Sequence, residues 1–183
     1  MSAKNILLTG RPGVGKTTVV RAVVERLSAR VGGFYTEEIR EGGRRQGFAI
    51  VTTDGRRAVM AHVRLRSPHT VGRYGVSVEA IDAVAVPALR DALQTADVVV
   101  VDEIARMELC SPRFAAAVRA VLDSPRPVLG VVQAARLPFL DEVRRRPDVR
   151  LVEVTPATRD AAVEVVAREV EALVRRRRDE GSA

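Results

Sequence analysis

Cysteine is nearly absent from this chain. Cys110 stands alone, so no disulfide forms within the chain and a reducing cytoplasm is the expected setting. Tryptophan is missing, and two tyrosines and four phenylalanines are the whole aromatic complement, so the core has to be built from Val, Leu, Ile and Ala. No apolar run is long enough to span a bilayer, and the apolar N-terminal stretch is too short and wrongly flanked for a secretion signal. Histidine occurs only as His62 and His69, neither in a pattern that would activate a thiol, and Cys110 therefore reads as a packing residue. Lysine is the scarcest charge: of 30 basic residues only Lys4 and Lys16 are not arginine.

Lys16 stands where a compact ammonium is more useful than a planar guanidinium. Residues 10 to 17 read Gly10-Arg11-Pro12-Gly13-Val14-Gly15-Lys16-Thr17, a complete GxxxxGK[ST] phosphate-binding loop. The apolar run Asn5 to Thr9 precedes it, and a helical pattern from Thr17 to about Arg30 follows. The glycines allow backbone N–H groups to wrap a polyphosphate, and the helix turns its positive end to the same anion. Lys16 adds charge near the β- and γ-phosphates, and the Thr17 hydroxyl is suited to Mg²⁺. A nucleoside triphosphate such as ATP is the expected ligand.

The length of 183 residues suits one domain, expected over residues 1–174. Alternation at Phe48, Ile50, Thr52 and at Val59, Ala61, Val63, Leu65, with Gly42-Gly43 and Asp54-Gly55 as turns, predicts a three-stranded antiparallel insertion over 33–65. A long loop over 66–78 and a helix from Glu79 to Leu93, bent or split at Pro87, follow. Asp97 to Val101 and Val128 to Val132 read as central strands apolar on both faces. Ser111-Pro112 opens a helix to Asp123, Pro138 to Arg146 is a short helix, and Arg150 to Val154 is a last strand. Val163, Val166, Val170 and Leu173 then recur at helical spacing. The fold class is α/β: a three-layer P-loop NTPase fold, with a mainly parallel sheet and an antiparallel extension. Residues 175–183 read as a basic, disordered tail.

Asp102-Glu103 ends the all-valine strand, at the carboxyl edge where parallel α/β sheets hold ligands. Asp102 is the candidate partner of Thr17 at Mg²⁺, and Glu103 the candidate base for an attacking water. Arg106, one helical turn on, and Arg73, in the long loop, are candidates to stabilise transferring charge. The net charge of +7 raises nucleic acid as a partner, but aromatics are not interleaved with the basic runs, which disfavours it. No base-reading motif is present, so broad tolerance among ATP, GTP, CTP and UTP is expected.

GRPGVGKTT, GFYTEEIR with QGFAI, VGRYGV, and VVVVDEIARMEL with SPRF together resemble the small P-loop nucleoside-triphosphatase family first known from thermophiles, to which the human cancer-related nucleoside triphosphatase is related. The resemblance runs from about Lys4 to Val174. It implies slow, Mg²⁺-dependent hydrolysis of nucleoside triphosphates with little discrimination among bases. Gly10, Arg11, Pro12, Gly13, Val14, Gly15, Lys16, Thr17 and Thr18 would then hold the phosphates. Val101, Asp102, Glu103, Ile104, Ala105 and Arg106 would form a second nucleotide-facing segment, with Lys16, Glu103 and Arg106 catalytic. Ala105 stands where Gly is usual, and Thr158-Arg159-Asp160 where Asn-Arg-Asp is common. Two other readings of the same motifs are a nucleoside or nucleotide kinase, for which Arg136, Arg144, Arg145 and Arg146 are open to misreading as the arginine-rich lid, and a nucleotide switch associated with RNA.

Overall fold

The computed structural model describes residues 3–181. One nine-stranded sheet runs through it. Its parallel half contains β1 (Asn5–Thr9), β2 (Val31–Glu41), β7 (Val98–Ile104), β8 (Val128–Val132) and β9 (Val149–Glu153), laid out as β2-β7-β8-β1-β9. Beyond β2 the sheet continues antiparallel through β3 (Arg44–Thr52), β4 (Arg57–His62), β6 (Tyr74–Val76) and β5 (Thr70–Val71).

Alternate residues of the central strands feed two apolar layers, as the period of a strand requires. Ile6, Leu8, Val98 and Val100 pack with α1 (Lys16–Val24) and α6 (Arg159–Glu180). Leu7, Val99 and Val101 pack with α3 (Val86–Thr95), α4 (Pro112–Asp123) and α5 (Pro138–Arg144). Helices on both faces cover Ile6–Leu8 of β1, Val98–Val101 of β7 and all of β8, which explains these unbroken apolar runs. No helix among the described residues is long and apolar enough to cross a membrane.

Four expectations need correction. The first helix ends at Val24 rather than Arg30, because Arg26 and Leu27 bond back three residues in tight turns and the chain must turn into β2. The antiparallel meander is present, but it is not a separate insertion. Val31 to Phe34 pair parallel with Val98 to Val101, and the same strand then pairs antiparallel with β3. Gly33 makes this close approach: at φ 120° any Cβ would sit 2.0 Å from the Val100 carbonyl oxygen. The 66–78 loop contains the β5–β6 hairpin, joined to the sheet at β4. The helical stretch before β7 begins with α2 (Val78–Ala80), capped by Ser77, and passes through a π-helical turn over Ile81–Ala85 into α3, with Pro87 in its first turn. Pro87 thus interrupts a helical run that continues on both sides, next to the π turn, in keeping with the bend or split expected there.

The fourth correction concerns the basic tail. Helix α6 continues to Glu180, and Arg178 and Arg177 reach the buried carboxylate of Asp97 at 3.0 and 4.0 Å. This docking, together with arginines in the last turn facing the negative helix end, holds as helix what composition alone reads as disordered. Ser182 and Ala183 lie outside the described residues.

Candidate functional site

The phosphate-type loop spans the gap between β1 and α1. Gly10 has φ 144°, and a Cβ there would meet the Val154 carbonyl oxygen at 2.5 Å; only glycine lets the loop leave β1 this close to the chain following β9. Helix α1 starts with no acidic residue in its first turn and no side-chain cap, so its N-terminal N–H groups stay available to an anion. Lys16 is buried, with its ammonium donating to the carbonyls of Gly10 at 3.0 Å and Arg11 at 2.9 Å. It is held over the loop, poised where a polyphosphate would lie.

Facing the loop, β7 delivers Asp102 and Glu103, joined by a cis peptide. Asp102 is fully buried and neither carboxyl oxygen has a hydrogen-bond partner among the described residues. Burial pushes its carboxyl up to about 7, helped by the charge of Glu103. The Thr17 hydroxyl lies alongside and opposes the rise without completing a bond of ordinary geometry. Glu103 is half-buried, and burial raises its carboxyl too, with the Lys16 ammonium acting the other way.

A third carboxylate joins them. Glu108, on a 3₁₀ turn over Glu108–Cys110, is buried, and its Oε2 has no partner among the described residues. Burial, then the charge of Glu103, holds it well above the ordinary carboxylate range. Glu108 lay inside the DEIARMEL segment without being assigned a role. A lone acidic residue between two large apolar ones, Met107 and Leu109, is the signal the sequence offers for it. Arg21 was missed as well: it pairs with Glu37 at 2.7 Å, stacks over Tyr35, and lines the same cavity.

That cavity, about 870 Å³, brings together Gly10, Pro12, Gly13, Gly15, Lys16, Thr17 and Thr18 with Asp102, Glu103, Ala105, Arg106 and Glu108. The remaining expected site residues lie elsewhere. Val101 and Ile104 are core residues on the α3–α4 side; strand alternation turns Val101 inward, and an irregularity in the β7–β8 pairing between the two brings Ile104 to the same face. Val14 packs against the α1–α6 layer, and Arg11 is exposed, contributing only its carbonyl to Lys16. Arg106 is exposed at the cavity wall; its main-chain N–H donates to Gln133, and its guanidinium has no partner among the described residues. Arg73 is not brought to the loop. It lies over the Tyr74 ring and donates to the Arg45 carbonyl, outside the cavity lining.

Ala105 causes no strain, since no described non-glycine residue has positive φ. Thr158 uses its hydroxyl locally, accepting from the Thr155 N–H at 3.0 Å to close the turn before α6. Within the arginine-rich 136–146 segment, Arg144 is tied to the carbonyls of Gln133 and Ala135, and Arg146 to Asp123 and Asp148.

Residues 5–167 match the sequence profile of a family described as NTPase. The chain is 41% identical to nucleoside-triphosphatase THEP1 of Thermotoga maritima over 156 residues, covering 85% of this chain and 89% of the relative. It is 40% identical to the human cancer-related nucleoside-triphosphatase, over 86% and 92% of the two chains. The crystal structure of THEP1 from the hyperthermophile Aquifex aeolicus superimposes with a TM-score of 0.82 at 38% identity, covering 88% of this chain and 96% of that one. With a matching fold and sequence similarity over most of its length, the chain belongs to this NTPase family.

Proposed function

We propose that this protein hydrolyses nucleoside 5'-triphosphates to diphosphate and phosphate, using Mg²⁺ and tolerating any of the common bases. The observation that carries this reading is the buried, unpartnered Asp102 beside Thr17, facing Lys16 and Glu103 across one cavity. The relatives' names support the substrate class. A buried carboxylate without hydrogen bonds is costly unless a cation or donor completes it, and a hydroxyl–carboxylate pair fits Mg²⁺. Thr17 and Asp102 are the side chains that would hold such an ion, and no group of three or more His, Cys, Asp or Glu that could hold a metal occurs among the described residues.

The chain's own residues divide the work. The loop N–H groups and Lys16 hold the phosphates, Glu103 orients a water and takes its proton, and Arg106 offers a free guanidinium to the transferring charge. Bound Mg²⁺, held by Thr17 and Asp102, supplies charge neutralisation. Nucleic acid is not needed in this reading, because Arg144, Arg146 and Arg177 are engaged within the fold. The lone Cys110 is in keeping with a cytoplasmic setting.

Phosphate release measured in parallel on ATP, GTP, CTP and UTP, with and without chelator, tests the reading. The kcat/KM values fall within about two orders of magnitude of one another, since a site that hydrogen-bonds one base rejects others by about 10⁴ or more. Release that persists in chelator overturns the Mg²⁺ role, a thousand-fold preference overturns the tolerance, and no release from any triphosphate overturns hydrolysis.

A further inference from the structure

The cavity does not end at the carboxylates. Strand β2 leaves the parallel sheet at Phe34, paired with Val101, and runs on to Glu38, paired with Phe48. At about 3.3 Å per residue the β2–β3 hairpin rises roughly 13 Å above the carboxyl edge. It forms a wall opposite the phosphate loop. Phe48, Met60, Val71 and Met107 line the cavity together with Thr36 and Glu38 of β2. The ion pair between Arg45 and Glu38 stands at its rim, and the Arg45 Nε is buried with no hydrogen-bond partner among the described residues. A water nucleophile occupies only about 30 Å³. A preformed apolar chamber with a few convergent polar groups is instead the usual form of a small-molecule site.

We propose that this chamber is an acceptor site for a small molecule with an apolar ring and a primary hydroxyl, which receives the γ-phosphoryl group in place of water. The proposal rests on the triphosphate reading given above. The ring lies against Phe48, Met60 and Val71, a polar substituent meets Arg45, and the hydroxyl points back to Glu103. The bond between the γ-phosphorus and the β–γ bridging oxygen breaks, and that oxygen leaves with the nucleoside diphosphate. A new bond forms between the γ-phosphorus and the acceptor oxygen, whose proton passes to the Glu103 carboxylate. The products are a phosphomonoester and a diphosphate.

Benzyl alcohol is the probe, with ethanol at equal concentration as control, added to the full chain with Mg²⁺ and ATP. ADP, free phosphate and phosphomonoester are quantified by ³¹P NMR. Benzyl phosphate forms with an ester-to-phosphate ratio at least about tenfold that of ethyl phosphate, the advantage of burying a ring worth more than about 1.4 kcal/mol. Val71→Trp, which fills the chamber, lowers the ratio to the ethanol level, while Val71→Ala retains it; a ratio cancels any general loss of turnover. If Val71→Trp does not fold, Met60→Phe takes its place. ADP matched by free phosphate without ester overturns the acceptor site and leaves hydrolysis standing. So does a ratio equal to that of ethanol, or one indifferent to Val71→Trp. Absence of ADP in every arm overturns both readings.

Discussion

Thr36 donates a 2.7 Å hydrogen bond from its hydroxyl to the main-chain carbonyl of Asp102. The parallel ladder of β2 and β7 ends at Phe34 and Val101, so this side chain ties the strands where backbone pairing has stopped and Asp102 begins to face the loop. Thr36→Val keeps the shape and removes the bond. We expect a stability loss of about 1 kcal/mol and a roughly tenfold fall in kcat, the rate equivalent of a similar energy lost from positioning. Denaturant midpoints and phosphate release report the two separately. An unchanged kcat in the destabilised variant would show that the bond does not position Asp102.

Lys16→Ala removes the ammonium that now bonds the Gly10 and Arg11 carbonyls. No other loop side chain carries charge toward the phosphates, since Arg11 is exposed and outside the cavity lining. Triphosphate binding weakens and hydrolysis disappears, as titration with a non-hydrolysable analogue and a turnover assay would show. Parent-like turnover in the purified variant would place the phosphates elsewhere.

Glu103→Gln keeps size and hydrogen bonding but cannot accept a proton. Affinity for the triphosphate is retained while kcat falls by about two or more orders of magnitude, within the range for a positioned base. Hydrolysis within a few fold of the parent would leave Glu103 with a structural role and make Glu108 the next candidate.

Glu108→Gln tests the buried carboxyl itself. Its folded-state value is raised by burial and by the Glu103 charge, so folding favours the protonated form. The penalty is absent below the ordinary carboxylate value of about 4.3, sets in as pH rises through it, and grows until the folded value is reached. Near neutral pH the variant is more stable than the parent, because it carries no carboxyl whose charged form burial disfavours. At about pH 4 the difference vanishes. Urea midpoints at the two pH values decide it, and a variant less stable near neutrality would mean that the carboxylate has a stabilising partner.

The shape of the Gly10–Thr17 loop was legible in the residues because it is local. Spacing within Gly10 to Thr17 sets both the backbone turn and the start of α1, and the valines of β7 announce a strand covered on both faces. The position of Asp102 and Glu103 near the carboxyl end of the valine strand was legible for a similar reason, although β7 runs on to Ile104. The rest depended on partners far along the chain. Glu108 became part of the site only when Thr36 of β2 and Glu103 of β7 were brought beside it. Arg73 left it because Tyr74 and the Arg45 carbonyl offered a nearer stacking face and acceptor. The arginines near the C-terminus continue a helix because α6 docks them on Asp97, eighty-one positions from Arg178. Local order follows from backbone preference and periodicity; burial, pairing and charge environment come from long-range packing, which only the assembled sheet brings about.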